Sequence, residues 1–574
     1  MCGIAGFLSK NHRKSYDKNF LRISKELSHR GPDSSNHFKH KNNLFIHTRL
    51  SIIDIAGGNQ PIINNDLVLV ANGEIYNDSE IRAKFKEYKF KTKSDSESIM
   101  ALYHEEGLSG LKNLRGMYAF AIYDKKKKIT ILSRDIFGIK PLYFCQLEDS
   151  FIFCSEIQPM LNLNLIRKKI SKEKLLEYFE LQYCSGKKTI YENVFRVLPG
   201  EILVIENGRL KKSIIQKLPQ ARKVEKKIGN NFIEKQIKET IAVHLRSDVP
   251  YCLFFSGGID SMLILHFMSK IISKKKIEAF KVYIDGKSRD DNVLLRKISK
   301  EYKIHFNEIS FTESDFWKLI PFAAKHIDDP IADYAILPTF KLAEQASKQF
   351  KVAITGEGGD ELFGGYGRYR KSNLFKKKYF KGAFKKFKDF SEYYWKFETN
   401  QLFVDNLDLT NIQKRQYFDY INWLPNDLLV KLDRCLMAYG MEGRTPLVDK
   451  KIFESFFFIK DKDKINNGYG KYLIRDFLNK KVSYYNGFEK KEGFSIPINS
   501  WIPKKAKILE EFLPKVGILN SFFTKDEIIS LCRSVKYKKK YVRCVWHLIF
   551  ISAWYYVNFK NIKTDGNFFD IIKN

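Results

Sequence analysis

One stretch constrains this chain more than any other: an apolar run that breaks at glycines and resumes as a helix. In VPYCLFFSGGIDSMLILHFMSKII, from Val249, a short apolar run meets Ser256-Gly257-Gly258, and a helical pattern starts at Ile259. A strand, a glycine turn and a helix fit a buried parallel sheet, whose strands read as continuous apolar runs because both faces are covered. IEAFKVYID, from Ile277, then a helical pattern and then FKVAITGEGGDELF, from Phe350, repeat the alternation. The expectation is an α/β parallel-sheet domain over 230–574, with a mostly helical C-terminal part after about Gly365.

The first 205 residues have a different texture. LFIHTRLSIID, LVLVANGEIY, GMYAFAIYD, ITILSRD and SFIFCSE are short β-branched or aromatic runs separated by turn residues. Helical patterns interrupt them near Phe20–His29 and Ser96–Glu106. This predicts an α+β domain with layered antiparallel sheets. Between the two domains, 206–229 is Lys-rich, contains Pro219 and shows little period, so it reads as a linker. A length of 574 residues accommodates both domains.

Lys+Arg of 100 against Asp+Glu of 66 leaves a net charge of +34, which raises nucleic acid or an anionic membrane as partners. Basic and aromatic residues interleave in two stretches, Arg368–Phe390 and Lys536–Arg543. Lys clusters alternating with Phe, Tyr, Ile and Asn nonetheless read as a compositional bias, and no nucleic-acid partner is predicted. The longest apolar stretch, Val545–Phe559, is interrupted by His547 and reads as a core helix, so no membrane span is expected. Eight cysteines with no C-x-x-C pair argue against a disulfide framework or structural zinc. With no basic and apolar leader at the N-terminus, a cytoplasmic location is expected.

Met1-Cys2 opens the chemistry. Removal of the initiator Met would leave Cys2 with a thiol and a free α-amine of pKa about 7.7–8, able to act as the thiol's base. MCGIAGF is followed by HRGPD (His29–Asp33), RLSIID (Arg49–Asp54), NGEIYN (Asn72–Asn77), SDSE (Ser94–Glu97), GMYAFAIYD, RDIFGIKPLYF and SEI. In this order the motifs resemble the glutaminase domain of the class II glutamine amidotransferases, across nearly all of 1–205. The resemblance implies an Ntn-type fold in which Cys2 attacks the glutamine side-chain amide and releases ammonia. It puts the Asn72 side chain and the Gly73 N–H at the oxyanion. It lines the glutamine pocket with Arg49, Leu50, Ser51, Ile52, Ile53, Asn72, Gly73, Glu74 and Asp95. Arg49 suits the α-carboxylate of glutamine, and Asp95 and Glu74 its α-ammonium. Arg30 and Asp33 are expected to organise the loop over the site.

Ser256-Gly257-Gly258-Ile259-Asp260-Ser261 presents N–H groups and hydroxyls at a helix start, a cradle for pyrophosphate. The P-loop kinase pattern is absent. SGGIDS resembles the PP-loop of ATP pyrophosphatases, and Gly356–Glu361 (GEGGDE), Leu432–Asp449 and Gly468–Leu478 resemble the asparagine synthetase family. That resemblance implies an ATP site at Phe254, Ser256, Gly257, Gly258, Asp260, Ser261, Val282, Thr355 and Gly356. It further implies Mg²⁺ between Asp260 and Asp360, Glu357 tied to acyl-adenylate formation, Lys471 offsetting charge at the reacting phosphate, and a possible homodimer.

The implied reaction uses glutamine, ATP and a carboxylate. Ammonia made at Cys2 passes through an internal channel and displaces AMP from an acyl-AMP. Met262, Phe254, Phe255, Thr355 and the GRTPLVD segment depart from the usual pattern and bear on the acceptor pocket. Asp328–Leu342 resembles a subfamily holding both asparagine synthetases and enzymes that amidate sugar or cell-envelope carboxylates. The expected acceptor is L-aspartate, giving L-asparagine; the alternatives are a uronic acid or other cell-envelope carboxylate, and an inactive nucleic-acid or protein interaction module.

Overall fold

The structure, a computed structural model, describes residues 2–11, 19–219, 228–272, 276–285, 292–370, 404, 407–489, 496–563 and 565–573. Among these, the N-terminal part holds two six-stranded antiparallel sheets. The first orders its strands β10-β8-β9-β1-β3-β2, from β1 (Gly3–Ser9), β2 (Ser34–His40), β3 (Asn43–Arg49), β8 (Tyr143–Gln146), β9 (Ser150–Cys154) and β10 (Phe195–Arg196). The second runs β12-β11-β7-β6-β5-β4, from β4 (Ile62–Asn64), β5 (Leu67–Ile75), β6 (Gly116–Asp124), β7 (Ile129–Arg134), β11 (Glu201–Glu206) and β12 (Arg209–Ile215).

Period-2 patterning explains the layering. Ile4 and Leu8 of β1 pack with Phe45, Val68, Val70, Ala119, Ala121 and Leu132 between the sheets, while Ala5 and Phe7 point to the opposite face. The outer face of the second sheet is covered by the helix Glu97–Gly110 through Ile99 to Tyr103. This is the expected α+β domain, with the expected helices at Ile23–Glu26 and Glu97–Gly110.

The linker expected over 206–229 begins later than the sequence suggested. Asn207 and Gly208 both have positive φ (49° and 70°), an Asn-Gly hairpin turn that joins β11 to β12 and carries the second sheet through Ile215. Leu218 is also buried, so only the segment after it is left to connect the domains; 220–227 lie outside the described residues.

The second domain is built on a parallel sheet of order β15-β14-β13-β16-β17: β13 (Tyr251–Phe254), β14 (Ile277–Ile284), β15 (Ile304–Phe311), β16 (Val352–Ile354) and β17 (Glu442–Arg444). Strand order reverses at β13, the position where open α/β sheets place their ligands beyond the strand ends. The C-terminal region is mostly helical, as expected. Val542–Trp554 forms a buried helix whose Trp546 and Trp554 ring N–H groups donate to the carbonyls of Ala332 and Asp328. No described helix is long and apolar enough to cross a membrane. Of the two basic-aromatic stretches, 371–390 lie outside the described residues; Lys536–Lys540 are exposed.

Candidate active sites

Cys2 sits at the head of β1, buried, where β1 and β3 pair with Gly3 opposite Thr48. Its N–H donates to Asn72 Oδ1 at 2.9 Å across the two sheets. The other end of that amide, Asn72 Nδ2, is buried and makes no hydrogen bond. A free donor on a side chain oriented by the nucleophile's own nitrogen is what a developing oxyanion requires. Gly73 follows at φ 153°, where an added Cβ would stand 2.0 Å from the Met117 carbonyl oxygen, so only glycine lets β5 run this close to β6. Burial pushes the Cys2 thiol up from its ordinary value, whereas the Leu50 N–H and the Arg49 charge act to lower it.

The loop after β3 frames the thiol. Leu50 and Ile52 are buried, Ser51 N–H donates to Asp33 Oδ2 at 2.6 Å, and the Ile52 carbonyl accepts from Asp248 N–H at 2.9 Å. Arg49 behaves differently from the expectation of a fork open to a carboxylate. Its two Nη atoms donate to the carbonyls of Ile53, Asp54 and Ile55 and to Asn59 Oδ1, because this tight loop turns its carbonyls inward. Asp33 also pairs with Lys351 at 2.7 Å, so it organises the loop as expected. Asp95 accepts from Ile75 N–H at 2.5 Å, and burial raises its carboxyl to about 6. Glu74 is pushed well up by burial and opposed chiefly by Arg444, whose Nη2 lies 3.0 Å from Glu74 Oε1.

Arg30 is fully buried behind the thiol. Its Nε donates to the Cys2 carbonyl at 3.3 Å, and its Nη1 pairs at 2.9 Å with Glu156 and with Asp433 of the second domain. Arg434 continues the chain of charges to Glu156 (2.6 Å) and Asp328 (2.8 Å). Lys140 Nζ reaches the Gly443 carbonyl at 3.4 Å.

At the second site the loop after β13 leads into the helix Ile259–Ile271. Ser256 Oγ accepts from Gly258 N–H (3.1 Å) and lies 3.2 Å from Ser261 Oγ, which donates to the Gly258 carbonyl. The cradle is therefore fixed by its own hydroxyls. Phe254 ends β13, Val282 lies on neighbouring β14, and Thr355 follows β16 with its N–H on the Arg444 carbonyl at 2.9 Å. Gly356 packs against Asp260. Lys471 Nζ stands 2.6 Å from Asp260 Oδ2 and 2.8 Å from Asp360 Oδ1, joining the SGGIDS and GEGGDE loops. Burial raises the Asp260 carboxyl and Lys471 opposes it; the two carboxylates raise the Lys471 ammonium. An added Cβ on Gly365 would stand 1.9 Å from Asp360 Oδ1 and 2.3 Å from Lys471 Cε, so this approach needs glycine.

Glu357 is raised by burial, countered first by Lys431. Lys431 Nζ bonds Asp333 at 2.9 Å, and both Asp427 and Glu357 act on its charge. Asp427 sits in the π-helical turn Leu424–Leu428, one helical turn before Lys431; its Oδ2 accepts from Gln182 Nε2 at 2.7 Å, and its buried Oδ1 has no partner. Asp333, Asp427, Lys431, Glu442 and Arg444 were not named from the sequence. The available signal was EGR: alternation places Glu442 and Arg444 on one face of a strand that is buried throughout.

Comparison with known proteins matches both parts. A family model described as a glutamine amidotransferase domain matches residues 1–215, and one described as asparagine synthase matches residues 233–555. A Bacillus subtilis (strain 168) protein named asparagine synthetase (glutamine-hydrolyzing) 1 is 28% identical, with 97% of this chain and 97% of that protein covered. A Methanocaldococcus jannaschii protein named putative asparagine synthetase (glutamine-hydrolyzing) 2 is 32% identical over 64% of this chain and 76% of its own. Asparagine synthetase B (glutamine-hydrolyzing) of Escherichia coli (strain K12) is 27% identical over 88% and 83%.

Proposed function

The chain belongs to the asparagine synthase family, and from that premise we propose that it transfers the amide nitrogen of glutamine to L-aspartate, giving L-asparagine, glutamate, AMP and pyrophosphate. The observation that carries this reading is the pair of sites in one chain. Cys2 and Asn72 form a nucleophile with a waiting oxyanion donor, and Lys471 clamps Asp260 and Asp360 beside a glycine cradle.

Once Met1 is removed, the Cys2 amine takes the thiol proton and the thiolate attacks the glutamine amide carbon. Asn72 Nδ2 and the Gly73 N–H hold the charge that develops on oxygen, ammonia leaves, and water then releases glutamate from the thioester. Arg49 acts on the glutamine α-carboxylate through its charge and not as an open fork, because its Nη atoms are held by the loop carbonyls and Asn59, and Glu74 and Asp95 take the α-ammonium.

At the second site the acceptor carboxylate attacks the α-phosphate of ATP and pyrophosphate leaves, forming an acyl-AMP; ammonia then attacks the acyl carbon and AMP leaves. Ser256, Gly257, Gly258 and Ser261 cradle the pyrophosphate, with Phe254, Val282, Thr355 and Gly356 around the nucleoside. Asp260 and Asp360 are hard oxygen ligands, and Asp260 Oδ1 is buried without a partner, which fits Mg²⁺ bound largely by ATP phosphates. When bound, that ion offsets charge on the leaving pyrophosphate. Lys471 adds a fixed charge at the same place, and Glu357 lies where the acyl-adenylate forms. The carboxylates of Asp333 and Glu357 beside Lys431 favour an acceptor that brings an ammonium group of its own, as aspartate does and a uronic acid does not.

The deciding experiment incubates the chain with glutamine, MgATP and single acids, aspartate and a uronic acid among them, and identifies the amidated product by mass. Aspartate-dependent AMP and asparagine are expected. AMP formed only with a uronic acid, or with no acid, would sink the aspartate assignment.

A further inference from the structure

Strand β17 is only three residues long, yet it touches both sites. Glu442 and Arg444 share the face turned to the N-terminal domain, while Gly443 lies against Leu432 and Leu436. The Arg444 side chain is fully buried, with Nε and Nη1 hydrogen-bonded and Nη2 held only by charge, since it makes no hydrogen bond. Nε donates to Glu442 at 2.5 Å, Nη1 donates to the carbonyls of His244 (2.7 Å) and Arg246 (2.5 Å), and Nη2 pairs with Glu74 at 3.0 Å. The His244 carbonyl closes the helix Asn230–His244, whose C-terminal end favours a cation there, and Arg246 follows two residues beyond it. The His244 ring also packs on Tyr76, two residues after Glu74, with centroids 3.9 Å apart. The Arg444 backbone carbonyl meanwhile accepts from Thr355 N–H beside the nucleotide loop.

We propose that Arg444 is a positioning residue for glutamine recognition: the second domain supplies this guanidinium to hold the Glu74 carboxylate in place for the α-ammonium of glutamine, so the glutamine pocket is completed across the domain boundary. The inference rests on reading Glu74 as an ammonium ligand. Glu74, Asp95 and Glu442 are all buried and all feel the Arg444 charge, and Glu74 is the one whose carboxylate faces Arg444 Nη2. Three of the guanidinium's four protein contacts do not involve Glu74, so a ligand that binds Glu74 does not set Arg444 adrift. Burial favours a protonated Glu74, and Arg444 is the strongest influence against it. An uncharged Glu74 could not pair with an ammonium.

The test uses the full chain and follows glutamate release and ammonia-driven AMP formation separately. Arg444→Gln is expected to raise the KM for glutamine at least about tenfold, because it leaves the buried Glu74 carboxylate without its facing charge, with kcat changed by less than about threefold. Ammonia-driven AMP formation should stay within about twofold, because the tie to Thr355 is made by the backbone. Arg444→Lys, which keeps the charge without the fork, should recover part of the KM loss. Glu74→Gln should raise KM similarly, and the double variant should add little to either single change. Equal loss of both activities in Arg444→Gln and Arg444→Lys, or an unchanged KM for glutamine, would overturn the proposal in favour of a domain clamp. A native chain that releases no glutamate from glutamine would overturn the underlying reading instead.

Discussion

The Asn72 side chain divides its two ends between two tasks: Oδ1 accepts from Cys2 N–H at 2.9 Å, and Nδ2 stays buried without a partner. An unpaired buried N–H is costly in the resting protein and becomes useful only when an oxyanion forms beside it. Asn72→Ala is expected to lower the kcat of glutamate release by about 10²–10³-fold with a smaller change in KM, since the missing bond is made mainly in the transition state. A steady-state series in glutamine checks this; a change confined to KM would refute it.

Cys2 is the cysteine whose backbone N–H meets Asn72, and the other cysteines are buried thiols. Cys2→Ala should abolish glutamate release and leave AMP and amide formation from added ammonia. Parallel assays with glutamine and with ammonium salt distinguish the outcomes. Loss of both would mean that the two sites do not divide the reaction as proposed.

Asp95 is expected to make glutamine use pH-dependent. Burial raises its carboxyl to about 6 against an ordinary value near 4, with Asp78 adding to the rise and the Ile75 N–H opposing it. A protonated Asp95 cannot pair with an ammonium, so kcat/KM for glutamine should fall as pH drops through about 6, and Asp95→Asn should flatten that limb at lower affinity. The effect on stability has the opposite sign. A carboxyl whose folded pKa lies above its unfolded one contributes stability that is fully present below about 4 and is lost as pH rises through about 6. Acid should therefore weaken glutamine use without Asp95 loosening the fold, and kinetics and thermal melts at pH 5.5 and 7.5 would separate the two.

Both catalytic loops were legible because each is local. SGGIDS carries its strand, turn and helix start within one stretch, and NGE lies on one strand with Gly73 forced by contact with Met117. The β11–β12 hairpin was missed although Asn207-Gly208 is a strong turn signal, since the Lys-rich strand behind it hid its alternation. Arg444 and Lys431 were beyond reach for a different reason. Arg444 meets a residue some 370 positions earlier, and Lys431 meets Asp333 across almost a hundred, so neither partner is implied by local spacing. Arg49 shows the converse: its motif marked it as functional, but only coordinates reveal that its Nη atoms are taken by the loop they anchor.

Lys431 compensates Asp333 directly and acts on Glu357 and Asp427. Lys431→Met would leave these carboxylates without their cation, a change that costs far more than the pair itself contributes. We expect a lower melting temperature and a KM for aspartate raised at least about tenfold in pyrophosphate exchange, with glutamate release unchanged. Adding Asp333→Asn should recover part of both losses. Unchanged acceptor kinetics would remove Lys431 from the acceptor site.

Lys471 offers the sharpest separation of the two sites. Its Nζ lies between Asp260 and Asp360, its N–H donates to the Phe363 carbonyl at 3.0 Å, and its backbone is held in the left-handed region at φ 56° ahead of the helix Tyr472–Lys481. A side chain fixed at both ends is preorganised, and in a partly water-excluded site such a charge acts most strongly where phosphate charge shifts in the transition state. Lys471→Gln should lower AMP formation by about 10²-fold or more with either glutamine or ammonia, while glutamate release persists, so glutamine would be consumed without amide product. Gly365→Ala should act in the same direction without touching any charge, because the new methyl group would displace both Asp360 and Lys471. Agreement between the two variants would tie adenylation to the geometry of this clamp. Full AMP formation in Lys471→Gln, or loss of glutamate release in either variant, would show that the clamp serves the fold and not the phosphate chemistry.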